Sequence, residues 1–187
     1  MILLNLGCGG SRPSLPWLNI DNLYTLFPDP ACPERVNMDS EGNYLNHDLR
    51  NGIPFKENSV DGIVASHLLE HLDCHEAIQL LKECHRALKA GGVLRVSLPD
   101  PAKFYSLTMA GCTDWGEPMY QKDSFMEYAL AFHDHKQFLG KDGLYCMLWL
   151  SGFKGRLIDC AYQQSTSEIM ATLDTRPVFS LFVEALK

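Results

Sequence analysis

Hydrophobic residues open the chain as short solid runs rather than alternations. Ile2-Leu-Leu-Asn-Leu6 is apolar almost throughout and stops at Gly7, the pattern of a strand buried on both faces. Trp17-Leu-Asn-Ile-Asp21 predicts a second strand, Tyr44-Leu-Asn-His47 a third, Val60-Asp-Gly-Ile-Val-Ala65 a fourth and Val93-Leu-Arg-Val-Ser-Leu98 a fifth. Between the fourth and fifth the period changes. Ala77, Ile78, Leu81, Cys84 and Leu88 recur at three and four, predicting a helix over 74–90. Asp73 and Glu76 form a capping box at its start, and Gly91-Gly92 is expected to end it.

Pro13 and Pro16 leave no room for an ordinary helix between the first two strands, so the first crossover must be truncated. Residues 22–43 read as loop, and Asn51-Gly52 and Asn58-Ser59 as turns. The pattern loosens over 100–140, which is rich in aromatics, with helical pieces expected near 101–109 and 122–132. A further helix is predicted over 142–151, ending at Gly152-Phe153, and two closing strands near 155–163 and 177–185. Strands alternating with helices imply a doubly wound, mostly parallel α/β sheet whose last pair can be antiparallel.

With 187 residues, one domain spanning 1–187 is expected. A net charge of −7 argues against a general nucleic-acid binder, which needs a basic face. No apolar run is long enough to cross a bilayer, and the first residues lack a basic lead, so a cytoplasmic protein without membrane partners is expected. The seven cysteines (8, 32, 74, 84, 112, 146 and 160) include no C-x-x-C pair and read as reduced thiols.

Candidate chemistry begins at Gly7-Cys8-Gly9-Gly10, where the backbone can approach a ligand without a Cβ in the way. A glycine turn after the first strand is where nucleotide-like cofactors bind in doubly wound sheets. Arg12 occupies the place of the third glycine of G-x-G-x-x-G, which disfavours a dinucleotide, and no phosphate-binding G-x-x-x-x-G-K-[ST] is present. Ser66-His67 follows the fourth strand and Asp100 the fifth. Asp48 can either face a ligand or cap the turn over Asn51-Gly52, or do both. His67, His71, Cys74, His75, Cys84 and His85 suggest a metal, with His71 and His75 at i, i+4. No third ligand accompanies them at fixed spacing, and no metal is expected.

In order, Leu4-Asn-Leu-Gly-Cys-Gly9, Asn19-Ile-Asp21, Asp48-Leu49, Phe55-Lys-Glu-Asn-Ser-Val-Asp61, Ser66-His-Leu-Leu-Glu-His-Leu72, Leu88-Lys-Ala-Gly-Gly-Val-Leu94 and Ser97-Leu-Pro-Asp100 form one set. As a set they resemble the class I S-adenosylmethionine-dependent methyltransferases, most nearly a small bacterial type 11-like group with a similarly short first crossover. The resemblance covers the first hundred residues well and the rest thinly. It implies a Rossmann-like fold, S-adenosylmethionine as cofactor, and methyl transfer to a small-molecule or saccharide-type acceptor. It further implies that Gly7, Cys8, Gly9 and Gly10 pass under the methionine part and that Asp21 accepts from the ribose hydroxyls. Asp48 would receive the adenine amine, Leu49 would pack on the ring, and Ser66 and His67 would line the methyl-donor end.

A hydroxyl or amine acceptor needs a base, and His67 and His135 are the catalytic candidates. Residues 101–138 are expected to cap the crevice, with His135 pointing into it. The rival reading is a non-catalytic module of the same fold that binds S-adenosylmethionine or S-adenosylhomocysteine.

Overall fold

The computed structural model describes residues 1–10, 12–22, 43–109 and 135–187. Seven strands form one sheet: β1 (Leu3–Leu6), β2 (Trp17–Asp21), β3 (Tyr44–Asn46), β4 (Val60–Ser66), β5 (Leu88–Pro99), β6 (Leu157–Cys160) and β7 (Ser180–Leu186). Their order is β3-β2-β1-β4-β5-β7-β6. All pairs from β3 to β5 are parallel, and β7 runs antiparallel to both β5 and β6. The antiparallel β7 lies inside the sheet, so β6 is the edge strand.

Helix α1 (Cys74–Ala87) carries the expected capping box, with Glu76 N donating to Asp73 and Asp73 N donating to Glu76. It ends three residues earlier than the periodicity predicts. Leu88 leaves the helix to pair with Val60, and the ladder resumes at Val93 opposite Gly62. Gly91-Gly92 is therefore part of a bulge in β5, not a helix cap. Pairing with a buried central strand outweighs the continuing helical pattern, because it satisfies backbone groups that a longer helix would leave at its frayed end.

The other helices are α2 (Pro101–Met109), α3 (Lys141–Leu150) and α4 (Glu168–Ala171). The predicted pieces over 22–43 and 122–132 lie largely outside the described residues. Helix α4 was not anticipated. No described residue between Arg12 and Pro16 is helical, which bears out the truncated first crossover. The main core joins Leu4, Leu6, Ile63, Leu94 and Val96 of the sheet to Leu80, Leu81, Leu144 and Leu148 of α1 and α3. On the opposite face a small cluster of Leu3, Trp17 and Val64 packs against Met170 of α4. Among the described residues, no helix is long and apolar enough to cross a membrane.

Candidate functional site

The carboxyl ends of β1, β2 and β4 meet at the glycine turn. Gly7 N donates to Ile20 O (2.8 Å), which folds the turn back over β2. Gly7 is left-handed (φ +64°), and a Cβ there would lie 2.7 Å from Leu68 Cδ1, so another residue would be strained and would have to displace Leu68. Gly9 lies in the left-handed region (φ +54°) with open space where a Cβ would point, and its N–H donates to Asp21 Oδ2 (2.8 Å). Asp21 thus ties the turn down as well as facing the space above it. Its other oxygen accepts from Asn22 N (2.7 Å).

A cavity of about 560 Å³ opens over this turn, within the range of small-molecule sites. Its walls include Gly7, Gly9, Asp21, Asp48, Leu49, His67 and His71. A second cavity of about 340 Å³ lies beside it, lined by Asn5, Gly7–Gly10, Ser66, His67, Thr175 and Arg176 among others. Gly7, Gly9 and His67 line both cavities.

Asp48 caps a turn, as one of its two readings has it, and its side chain also borders a cavity. Its side chain accepts from Arg50 N (3.0 Å), capping a single 3₁₀ turn over Leu49–Asn51. It also lines the larger cavity. Hydrogen bonds from Arg50, at 2.6 Å for the closest, hold its carboxyl below the usual carboxylate range. Cys8 is buried, and burial followed by the nearby Asp21 charge pushes its thiol up to about 12. It stays a neutral thiol, a poor nucleophile. Ser66 Oγ is hydrogen-bonded to Ser97 Oγ (2.9 Å) and Thr175 Oγ1 (3.3 Å).

His67 follows β4 with φ +51°, a left-handed conformation that costs energy for a non-glycine residue. Its Nδ1 lies 3.0 Å from Glu70 Oε1 and its Nε2 2.8 Å from Ser180 Oγ. In the tautomer that puts Nδ1–H toward Glu70, Nε2 is the accepting nitrogen. Sequence reasoning missed both partners. The i, i+3 spacing of His67 and Glu70 was a usable signal; Ser180, far along the chain, was not.

His135 does not join them on the cavity walls. It is buried, its ring edge-on to His71 at 4.9 Å between centroids. Two backbone bonds, from Lys136 N and Gln137 N to Glu70 O, fasten this segment to the turn over Leu69–His71. Most of the expected cap, residues 110–134, lies outside the described residues. Glu70, His71 and His135 bring one ligand-type atom each within 4.8 Å of one another, and Glu70 Oε2 is buried without a hydrogen bond among the described residues. This trio differs from the cluster that the sequence spacing suggested, because His135 comes from a distant segment.

The cavity chemistry fits S-adenosylmethionine. A ribose diol and an adenine amine are donors, and Asp21 and Asp48 supply charged acceptors at one end. The open space over Gly9 leaves room for a chain to pass across the turn.

Comparison with known proteins agrees. Residues 4–96 match the family described as a methyltransferase domain. No curated protein matches the chain in sequence. Among solved structures, an S-adenosylmethionine-dependent methyltransferase from Archaeoglobus fulgidus is similar (TM-score 0.60, 18% identity, covering 99% of this chain and 85% of that one). So is one from Thermotoga maritima described as a possible histamine N-methyltransferase (TM-score 0.62, 15% identity, 100% and 81%). A third, from Mesorhizobium loti, gives a TM-score of 0.57 at 18% identity, with 100% and 90% covered. Those identities speak for the fold, and the match over residues 4–96 for the domain. With its strand order and glycine-turn cavity, the chain carries a methyltransferase domain over residues 4–96, in the fold of S-adenosylmethionine-dependent methyltransferases.

Proposed function

We propose that this protein transfers a methyl group from S-adenosylmethionine to a small acceptor, of small-molecule or saccharide type, that approaches at His67. The observation that carries this reading is the position of His67 on the wall shared by the two cavities. One cavity bears the acids suited to the adenosine part, and the other adjoins it across the glycine turn.

When bound, S-adenosylmethionine supplies a methyl group already made electrophilic by its sulfonium. The protein then has to orient the partners and exclude water. Asp21 and Asp48 anchor the adenosine part by accepting hydrogen bonds, Leu49 supplies an apolar surface for the ring, and Gly7–Gly10 give close backbone approach. His67 Nε2 takes the proton that a hydroxyl or amine acceptor releases once the Ser180 hydroxyl turns aside, while Glu70 holds the imidazole in the required tautomer. His135, packed behind His71, supports the wall rather than meeting the acceptor.

The test is S-adenosylhomocysteine formation across a panel of hydroxyl- and amine-bearing small molecules and sugars. Turnover that falls at least about 100-fold in His67→Ala, the usual scale for losing a general base, supports the assignment. Binding of S-adenosylmethionine without turnover on any acceptor would favour a non-catalytic binding module of the same fold.

A further inference from the structure

The two cavities differ in charge. The larger is walled by Asp21 and Asp48, and its cations are already engaged: Arg50 with Asp48 at 2.6 Å and Lys136 with Glu76 at 3.2 Å. The smaller has no carboxylate among its described lining residues, and its one permanently charged side chain is Arg176. Arg176 makes no hydrogen bond or ion pair with any described residue. Arg12, the other guanidinium near the glycine turn, lies instead over the Tyr44 ring at 3.8 Å.

The position of Arg176 is built, not incidental. Its backbone is left-handed (φ +53°), a conformation that surroundings must impose on arginine. Two residues earlier, the Asp174 side chain is buried and takes two hydrogen bonds from Arg95, both 2.7 Å, and one from Gln163 N at 2.7 Å. Leu173 packs on the apolar patch of Leu3, Trp17 and Val64. The loop over 172–176 is thus pinned to the sheet just before Arg176.

In doubly wound folds the glycine turn commonly opens a helix, whose N-terminal N–H groups favour a negative group. Here residues 12–16 form no helix and β2 begins at Trp17. The face where that helix would pack is covered by α4 and the 172–176 loop. An anionic group passing over Gly9 and Gly10 loses the helix end and meets Arg176.

We propose that the smaller cavity receives the amino-acid end of S-adenosylmethionine and that Arg176 pairs with its carboxylate. This rests on the larger cavity holding the adenosine part. Arg176 is then a binding residue, standing in for the helix end that the shortened crossover removes.

Calorimetry on the full chain tests it with three probes: S-adenosylhomocysteine, decarboxylated S-adenosylmethionine, which lacks only the carboxylate, and 5′-methylthioadenosine, which lacks the whole amino-acid end. Arg176→Gln should weaken S-adenosylhomocysteine about 10-fold, a modest value because the pair stays open to solvent. The two carboxylate-free probes should bind the variant and the parent alike, and Arg176→Lys should recover much of the loss. The 10-fold loss should shrink as salt is raised. Unchanged S-adenosylhomocysteine affinity in Arg176→Gln would overturn the proposal. Equal weakening of all three probes would also overturn it, making Arg176 a residue of the fold. Failure of the parent protein to bind 5′-methylthioadenosine would instead remove the adenosine reading beneath it.

Discussion

The two faces of the sheet are built from the same strands but hold together by different means. One register row, Leu18–Leu4–Ile63–Leu94–Ala185, is apolar and faces α1 and α3. The next row, Asn19–Asn5–Val64–Arg95–Glu184, points the other way and is mostly polar. Asn5 Nδ2 donates to Asn19 Oδ1 (2.9 Å), and Arg95 Nη1 donates to Glu184 Oε1 (2.8 Å). A one-residue step along each strand separates an oil-like interface from a network of hydrogen bonds and charges.

The difference follows from the missing crossover helix. Among the described residues no helix follows the glycine turn, and on that side four-residue α4 buries only a small apolar patch. Ionic anchoring replaces it. Arg95, almost fully buried, holds both Asp174 and Glu184, and so fixes the loop that lines the smaller cavity. The apolar face supplies stability at a distance from the chemistry; the polar face sets the shape of the site.

The largest effect should come from breaking the polar face. Arg95→Met leaves Asp174 and Glu184 buried without their counter-charge, and should cost about 3–5 kcal/mol in urea unfolding at neutral pH. Burial by itself would raise the carboxyl of Glu184. Hydrogen bonds from Ser165 and Thr166, with the Arg95 charge, more than offset it and hold the group below its ordinary value. That stability is full above the ordinary carboxylate range and is lost as pH falls through the lowered folded value. The gap between Arg95→Met and the parent should therefore close in acid. A gap that stays constant down to pH 3 would mean that lost packing, not charge, explains the cost.

Leu81→Ala breaks the other face. It removes a fully buried side chain of α1 and should cost about 2–5 kcal/mol, with S-adenosylhomocysteine affinity unchanged in the folded protein. An affinity that falls in parallel would dissolve the division of labour between the faces.

How much of this was legible depended on the range of the interactions. The strands, the capping box at Asp73 and Glu76, and the truncated crossover rest on local patterns, and all three were readable. Arg95 and Ser97 alternate with Leu94, Val96 and Leu98, a pattern of two unlike faces that went unread. The partners did not show. Glu184 and Ser180 lie on β7, which enters the sheet beside β5 from the far end of the chain, and Asp174 lies in the loop that leads to it. The end of α1 was misplaced for the same reason: Leu88 answers to Val60, not to its helical neighbours. At the site, Gly7, Gly9, Asp21 and Asp48 stood out as strand-end residues, but Arg176 sits in a loop with no motif.

Asp21 is where the comparison meets the cofactor. Asp21→Ala removes an acceptor from the larger cavity and unties Gly9, and should weaken S-adenosylhomocysteine by roughly 1–3 kcal/mol in calorimetry. Unchanged affinity would take the ribose contact away from Asp21. Asp21→Asn keeps an oxygen for one of the two tasks and should lose less.

The smallest effect is expected at the cap of α1. Asp73→Ala removes the acceptor for Glu76 N and should cost about 1 kcal/mol. For a chain of this length that lowers Tm by about 2–4 °C. The cap lies one residue beyond the turn over Leu69–His71 that carries Glu70, so it borders the site without entering it. Methylthioadenosine affinity should stay the same, because Asp73 borders neither cavity and Glu76 keeps its contacts to Arg50 (4.0 Å) and Lys136 (3.2 Å). A measured loss of affinity together with the drop in Tm would show that the first turn of α1 is coupled to the cavity, for which Glu76 with Arg50 and Lys136 offers the route.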